Sequence, residues 1–376
     1  MNEIQLWQPH YSITPQMATR LIEIESARAE VAHTPLLPAV EAEIRQRARV
    51  RATHYSTRIE GNRLTLEEAA QVIEQKNAVL KGRERDVREV RNYWNALLRV
   101  EDWAAQGKPL AEDLLRRLHA LVEYGKRATP TPYRDGQNVI RDSVSGSIVY
   151  LPPEAVDVPA LMTGLVAWVN RAEKEKLPVP LIAGLAHYQF VTIHPYYDGN
   201  GRTARLLATF LLHRNGYGLN GFFSLEEHHA RNLEAYYGAL AVHPHHNYYE
   251  GRAEADLTPW LTYFIDLLAV VFNTAKDEAQ QSKDSPHALE PDWMRRLDHR
   301  ARLVLGLFSR QDEITAVQVA ESLGLSERMV RNLLQDWVTE GWLIVANPSR
   351  RKRAYQLSAI YRQYIGTLSA PLLKKK

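Results

Sequence analysis

His194-Pro195-Tyr196-Tyr197-Asp198-Gly199-Asn200-Gly201-Arg202-Thr203-Ala204-Arg205 sits between two apolar, helix-like runs, Leu181–Ile193 before it and Ala204–Leu212 after it. Each residue type in the stretch suits phosphate chemistry. His194 can take a proton near neutral pH. Asp198 is a hard oxygen ligand of the kind Mg²⁺ accepts. Gly199-Asn200-Gly201 can turn several backbone N–H groups into an anion-binding concavity, and it opens a helix whose first amides and dipole also favour phosphate. Arg202 and Arg205, three apart, project from one side of that helix's first turn. A polar loop between two core helices would account for any one of these residues, but not for the whole set within twelve positions.

The stretch closely resembles the Fic family motif H-P-F-x-D-G-N-G-R-x-x-R, with Tyr196 where the family usually has Phe. The resemblance covers roughly residues 50 to 240. It implies a mainly α fold, a Fic helical bundle carrying a small β-hairpin flap. It also implies a protein adenylyltransferase, which moves AMP from ATP to Ser, Thr or Tyr hydroxyls of proteins, itself included, and releases pyrophosphate. His194 is then the general base. Asp198 holds Mg²⁺, and Gly199, Asn200 and Gly201 steady the α-phosphate. Arg202 takes the β-phosphate and Arg205 the γ-phosphate. Other relatives move UMP, phosphate or phosphocholine, and the same kind of site can remove AMP, so the nucleotide stays open.

Thr53–Asn62 reads as a short helix closed by Gly61 or Asn62. Glu60 lies at its C-terminal end, where a helix prefers cations, so the carboxylate there points to an external partner. Ser56-x-x-x-Glu60-Gly61 resembles the family's inhibitory motif [S/T]-x-x-x-E-[G/N]. The resemblance pairs Glu60 with Arg205 and sets inhibitor and substrate in competition for one arginine. Asn138–Arg141 and Ser147–Leu151 alternate like strands around a Gly-containing turn. In the family this hairpin aligns the target segment by main-chain pairing, here through Ser147, Ile148 and Val149. A tyrosine on a later helix lines the family's adenine pocket. Tyr236 and Tyr237 are the candidates, within an expected helix Glu226–Leu240; ordinary packing explains them equally well.

Further helices are expected over Pro15–Val31, Pro38–Val50, Arg83–Val100, Leu110–Tyr124, Val156–Asn170 and Leu257–Ala275. Polar residues 276–292 read as a linker. Beyond it, Thr315 and Ser326 are helix caps, Gly324 is a turn, and two short strands flank Asn347–Arg353, the layout of a winged helix with a basic wing. Residues 291–376 hold 15 Lys+Arg against 8 Asp+Glu, whereas the remainder holds 32 against 36. That asymmetry favours DNA as a partner of this end, and a docking or dimerising module is the competing reading. The expected domains are 1–100, helical with the inhibitory helix; 101–275, catalytic; 276–292, linker; and 293–376, winged helix.

The chain has 376 residues, no cysteine and a net charge of +3. Without cysteine there are no disulfides, thiolate zinc sites or cysteine nucleophiles, which fits a reducing, cytoplasmic setting. No apolar run reaches the ~20 residues that span a bilayer, and the N-terminus does not read as a signal peptide. His228, His229, His243, His245 and His246 lack the His-x-x-x-His spacing of helical zinc sites. A nucleotide-sensing DNA-binding regulator remains the second functional class. Neither the target protein nor a homodimer can be read from the sequence.

Overall fold

A computed structural model describes residues 7–36, 38–75, 80–125, 129–141, 146–283, 297, 299–309, 311–349, 353–358 and 361–362. The described chain is mainly helical, with two small antiparallel sheets. It divides into two compact units, Met1–His33 with Arg45–Glu278, and Thr34–Ile44 with Ala279–Lys376.

The first unit contains α1 (Pro15–His33), α2 (Pro38–Ile59, from Arg45 on), α3 (Leu66–Glu74), α4 (Glu84–Ala105) and α5 (Glu112–Tyr124). After β1 (Ile140–Arg141) and β2 (Ile148–Tyr150) come α6 (Val158–Lys174), α7 (Val179–Ile193) and α8 (Asn200–Arg214). Then follow α9 (Leu225–Arg231), α10 (Leu233–Leu240) and α11 (Thr258–Lys283, as far as Glu278). Proline at the start of α7 suits the first turn, whose N–H groups have no helical partner. From Pro180 to Ile193, α7 is buried at every position but Val191, as its unbroken apolar run demands. α8 is buried from Arg202 to Leu212. The two pack against each other, with α4, α5 and α6 around them. Trp260 of α11 donates its indole N–H to the Gly184 carbonyl at 2.8 Å and closes another side of α7.

Several boundaries differ from expectation. The two helices expected over Pro38–Val50 and Thr53–Asn62 are one, α2. Nothing between them breaks a helix, and Ala52, Thr53, His54 and Ser56 carry the buried face straight through the gap. The single helix expected over Glu226–Leu240 is two, because the Asn232 side chain accepts from the Ala235 N–H and caps a new start. α4 runs through residue 100, so no boundary falls there. α11 continues to Lys283, so the expected linker begins inside a helix, and residues 284–292 lie outside the described ones. Thr65 caps α3 in a capping box with Glu68.

The second unit holds the first turns of α2, α12 (His299–Leu305) with a 3₁₀ turn after it, β3 (Ile314–Thr315), α13 (Ala316–Leu323), α14 (Glu327–Thr339), β4 (Leu343–Asn347) and β5 (Ala354–Leu357). Its sheet has the order β3-β5-β4, antiparallel throughout. Val304, Ile314, Val319, Val330, Leu334 and Trp337 lie in its core. Thr315 caps α13, Gly324 turns out of it at φ 65°, and Ser326 caps α14. The basic residues Arg350, Arg351 and Lys352 lie outside the described residues.

Candidate phosphate-binding site

α7 ends at His194, whose backbone is left-handed at φ 50° and ψ 59°. Few non-glycine residues adopt that conformation, and those that do cluster at functional sites. The turn carries the chain from α7 into the loop before α8. His194 Nδ1 lies 3.3 Å from the Val191 carbonyl, which can only accept, so this nitrogen carries the proton and Nε2 keeps a free lone pair. Burial lowers the imidazole to about 4, while the Val191 carbonyl and the charge of Glu60 pull the other way. The ring is therefore neutral near pH 7 and able to accept a proton.

The loop is closed by Asn200, the first residue of α8. Its Oδ1 accepts from the Tyr196 N–H at 3.0 Å and its Nδ2 donates to the Tyr196 carbonyl at 2.7 Å. Asp198 Oδ1 accepts from the Gly199 N–H at 2.6 Å, and the side chain is 65% exposed. Gly199 has φ 75° and crowds the Glu123 carboxylate, so a Cβ there would lie 2.4 Å from Glu123 Oε1. Gly201 has an ordinary φ, but a Cβ there would lie 2.4 Å from Glu60 Oε1. Both glycines thus sit under carboxylates, for want of room for a side chain.

Both arginines are buried and ion-paired. Arg202 reaches Glu123 at 2.8 Å and Asp198 at 3.4 Å. Its Nε is buried and has no hydrogen-bond partner among the described residues. Arg205 donates from Nε to Ser56 Oγ at 2.9 Å and from one terminal nitrogen to Ser56 O at 2.9 Å and Glu60 Oε1 at 2.8 Å. Burial disfavours the charged guanidinium, and Glu60, Tyr236 and Tyr93 together more than offset it, so the Arg205 pKa lies above its ordinary value. Ser56 and Glu60 reach the site from the last turn of α2 and the turn after it.

The hairpin is anchored beside His194. Tyr150 of β2 donates to the Thr192 carbonyl at 2.8 Å, and Asn138 Nδ2 to the Tyr196 carbonyl at 3.3 Å. Ser147, Ile148 and Val149 are exposed. β1 is shorter than expected, and the turn residues 142–145 lie outside the described ones. Tyr236 is fully buried and bonds His187 Nε2 at 3.1 Å, whereas Tyr237 is 49% exposed. Among the described residues no group of three or more His, Asp or Glu could hold a metal by itself. Asp198 alone suits Mg²⁺ of the kind that takes one carboxylate and completes its shell from substrate phosphates and water.

Three residues that sequence patterns did not single out support the loop. Arg134 donates to the carbonyls of His194, at 3.0 Å, Gly136 and Pro153, tying the hairpin's base to the histidine. His119 stacks on Tyr196 with ring centres 3.6 Å apart and bonds the Asp198 carbonyl through Nε2 at 2.8 Å. Glu123 lies in the last turn of α5, beside Gly199. A carboxylate in a helix's last turn marked Glu60, and the same signal was available for Glu123.

Residues 109–212 match the model of the Fic/DOC family. The chain is 33% identical over 168 residues to a protein adenylyltransferase Fic of Drosophila mojavensis, covering 44% of this chain and 32% of the relative. It is 28% identical over 257 residues to a protein of the same description from Culex quinquefasciatus, covering 66% and 45%. The chain thus spans less than half the length of these curated relatives. Among solved structures it is similar to a Fic family protein from Desulfovibrio desulfuricans G20, at TM-score 0.57 and 27% identity, over 94% of this chain and 99% of that one. A Fic domain containing signaling protein from Bacteroides thetaiotaomicron VPI-5482 shares the fold at TM-score 0.60 and 24% identity, over 70% and 97%.

Proposed function

From the Fic/DOC domain that this chain carries at residues 109–212, we propose that the protein is an adenylyltransferase, moving AMP from ATP onto a Ser, Thr or Tyr hydroxyl of a protein, itself included. The observation that carries this reading is the neutral His194, held by its left-handed turn at the mouth of a loop backed by two buried arginines. The relatives' description as adenylyltransferases agrees with it.

In the proposed reaction the target oxygen attacks the α-phosphorus and its proton passes to His194 Nε2. The bond between the α-phosphorus and the bridging oxygen breaks, and pyrophosphate leaves. The loop amides and the start of α8 face the charge that develops on the α-phosphate. Arg202 receives the β-phosphate and Arg205 the γ-phosphate. Asp198 would hold Mg²⁺, which when bound offsets phosphate charge. The hairpin edge aligns the target segment by main-chain pairing.

Glu60 makes this a restrained enzyme in the same proposal. Its carboxylate takes the Arg205 nitrogen that the γ-phosphate needs. Phosphoryl transfer depends on placement, and a ~1 Å error costs about a hundredfold. Mass spectrometry of the protein after incubation with ATP and Mg²⁺ is the test, and the mass gained names the group moved. Glu60→Gly is expected to raise transfer by at least about tenfold, and His194→Ala to abolish it. Transfer that survives His194→Ala removes the base assignment. Equal rates in Glu60→Gly and the parent remove the restraint.

A further inference from the structure

We propose that Glu123 is a positioning residue for Arg202, holding its guanidinium where a β-phosphate arrives; the proposal rests on the nucleotide reading of Arg202 given above. The two arginines of the loop are each matched to one carboxylate at 2.8 Å, Arg205 to Glu60 and Arg202 to Glu123. The same two carboxylates crowd the two glycines, Glu60 over Gly201 and Glu123 over Gly199. The pairs differ in kind and in support: Arg205 hydrogen-bonds Glu60, whereas Arg202 and Glu123 form an ion pair in which Glu123 Oε1 has no hydrogen-bond partner among the described residues. Glu60 follows the end of α2 and its side chain is 30% exposed. Glu123 lies inside α5, with its side chain 17% exposed. Its carbonyl accepts from Asn92 Nδ2 at 2.9 Å, and α5 packs on α8, the helix that carries Arg202.

Glu123 is thus fixed to the body of the unit on the side of Arg202. Burial raises its carboxyl pKa, and the Arg202 charge opposes this. The other carboxylate near Arg202, Asp198, is exposed and sits at 3.4 Å. Once Asp198 serves a metal ion, Glu123 is the counter-charge left to a buried guanidinium, which is costly to leave uncompensated. The Arg202 Nε is buried and unpartnered among the described residues.

The test is nucleotide binding, by calorimetric titration of ATP, ADP and AMP with Mg²⁺ into Glu60→Gly, Glu60→Gly/Glu123→Gln and Glu60→Gly/Glu123→Asp. AMP lacks the β-phosphate. ATP and ADP are expected to bind about tenfold more weakly to the Gln variant, with AMP unchanged and the Asp variant in between. If the Gln variant does not fold, the Asp variant, which keeps the charge but withdraws it by one methylene, carries the comparison. Equal losses for all three nucleotides, or no loss, overturn the proposal. Tighter ATP and ADP binding also overturns it and makes Glu123 a second competitor for phosphate. A separate transfer assay on Glu60→Gly reports on the transferase reading itself, so the two can fail independently.

Discussion

At the residue scale, the loop depends on side chains that brace it as well as on those proposed to meet phosphate. Asn200 is a brace, since both of its amide atoms are spent on Tyr196. Asn200→Ala is expected to remove two buried hydrogen bonds and lower stability by about 1–3 kcal/mol, with a larger loss of transfer as the loop loses its shape. Chemical denaturation beside a transfer assay separates the two effects, and an unchanged transfer rate would show that the loop holds its form without this brace. The motif could be recognised because all its members are contiguous. Glu60 could be found because a carboxylate at a helix C-terminus is out of place. Arg134 and His119 come from distant segments and carry no short pattern, so only folding brings them to the loop; Glu123 carried the same helix-end signal as Glu60, but no motif named its partner.

At the element scale, residue periodicity located most helices but not their joins. α2 is continuous because burial passes through Ala52 and Thr53, and propensity alone cannot weigh that. The split between α9 and α10 turns on one asparagine acting as a cap. For the hairpin, Val149→Pro removes a backbone donor from the exposed strand. It is expected to weaken recognition of a protein target, raising its KM severalfold, while ATP affinity stays unchanged by titration. For the second unit, we propose a winged helix in which α14 enters duplex DNA. Arg328, Arg331, Asn332 and Gln335 are exposed along it, although Arg331 already pairs with Glu327 at 2.6 Å. A gel-shift series against salt should show affinity falling steeply as salt rises. A flat response would favour a protein partner.

At the scale of the whole molecule, buried histidines govern the response to acid. Burial lowers His119 to about 4, His187 to about 3 and His194 to about 4, against about 6.5 in the unfolded chain. Between those values the unfolded state binds more protons, so stability is full above about pH 6.5 and falls as pH drops toward 4. Each proton contributes about 1.4 kcal/mol per pH unit in that window. Denaturant midpoints at about pH 7, 6 and 5 should fall accordingly; constant midpoints would mean that these rings are reached by water. Transfer should not titrate with His194 above about pH 5, because the free imidazole is already neutral there. Among the described residues no helix is long and apolar enough to cross a membrane. The mainly helical class was legible from unbroken apolar runs such as Leu181–Ile193. The grouping into two units was not, since Thr34–Ile44 joins residues far along the chain.

Arg205 is gripped twice by Ser56, through its hydroxyl and its carbonyl, independently of Glu60. The consequence concerns time. The restraint proposed for Glu60 then needs no helix to melt or slide for release, only the swing of one glutamate whose side chain is 30% exposed. Side-chain rotations of that kind take picoseconds to nanoseconds, far faster than any lid or hinge. Stopped-flow mixing with ATP should therefore show no lag before binding, and the restraint should act through how often the glutamate is away rather than how slowly it leaves.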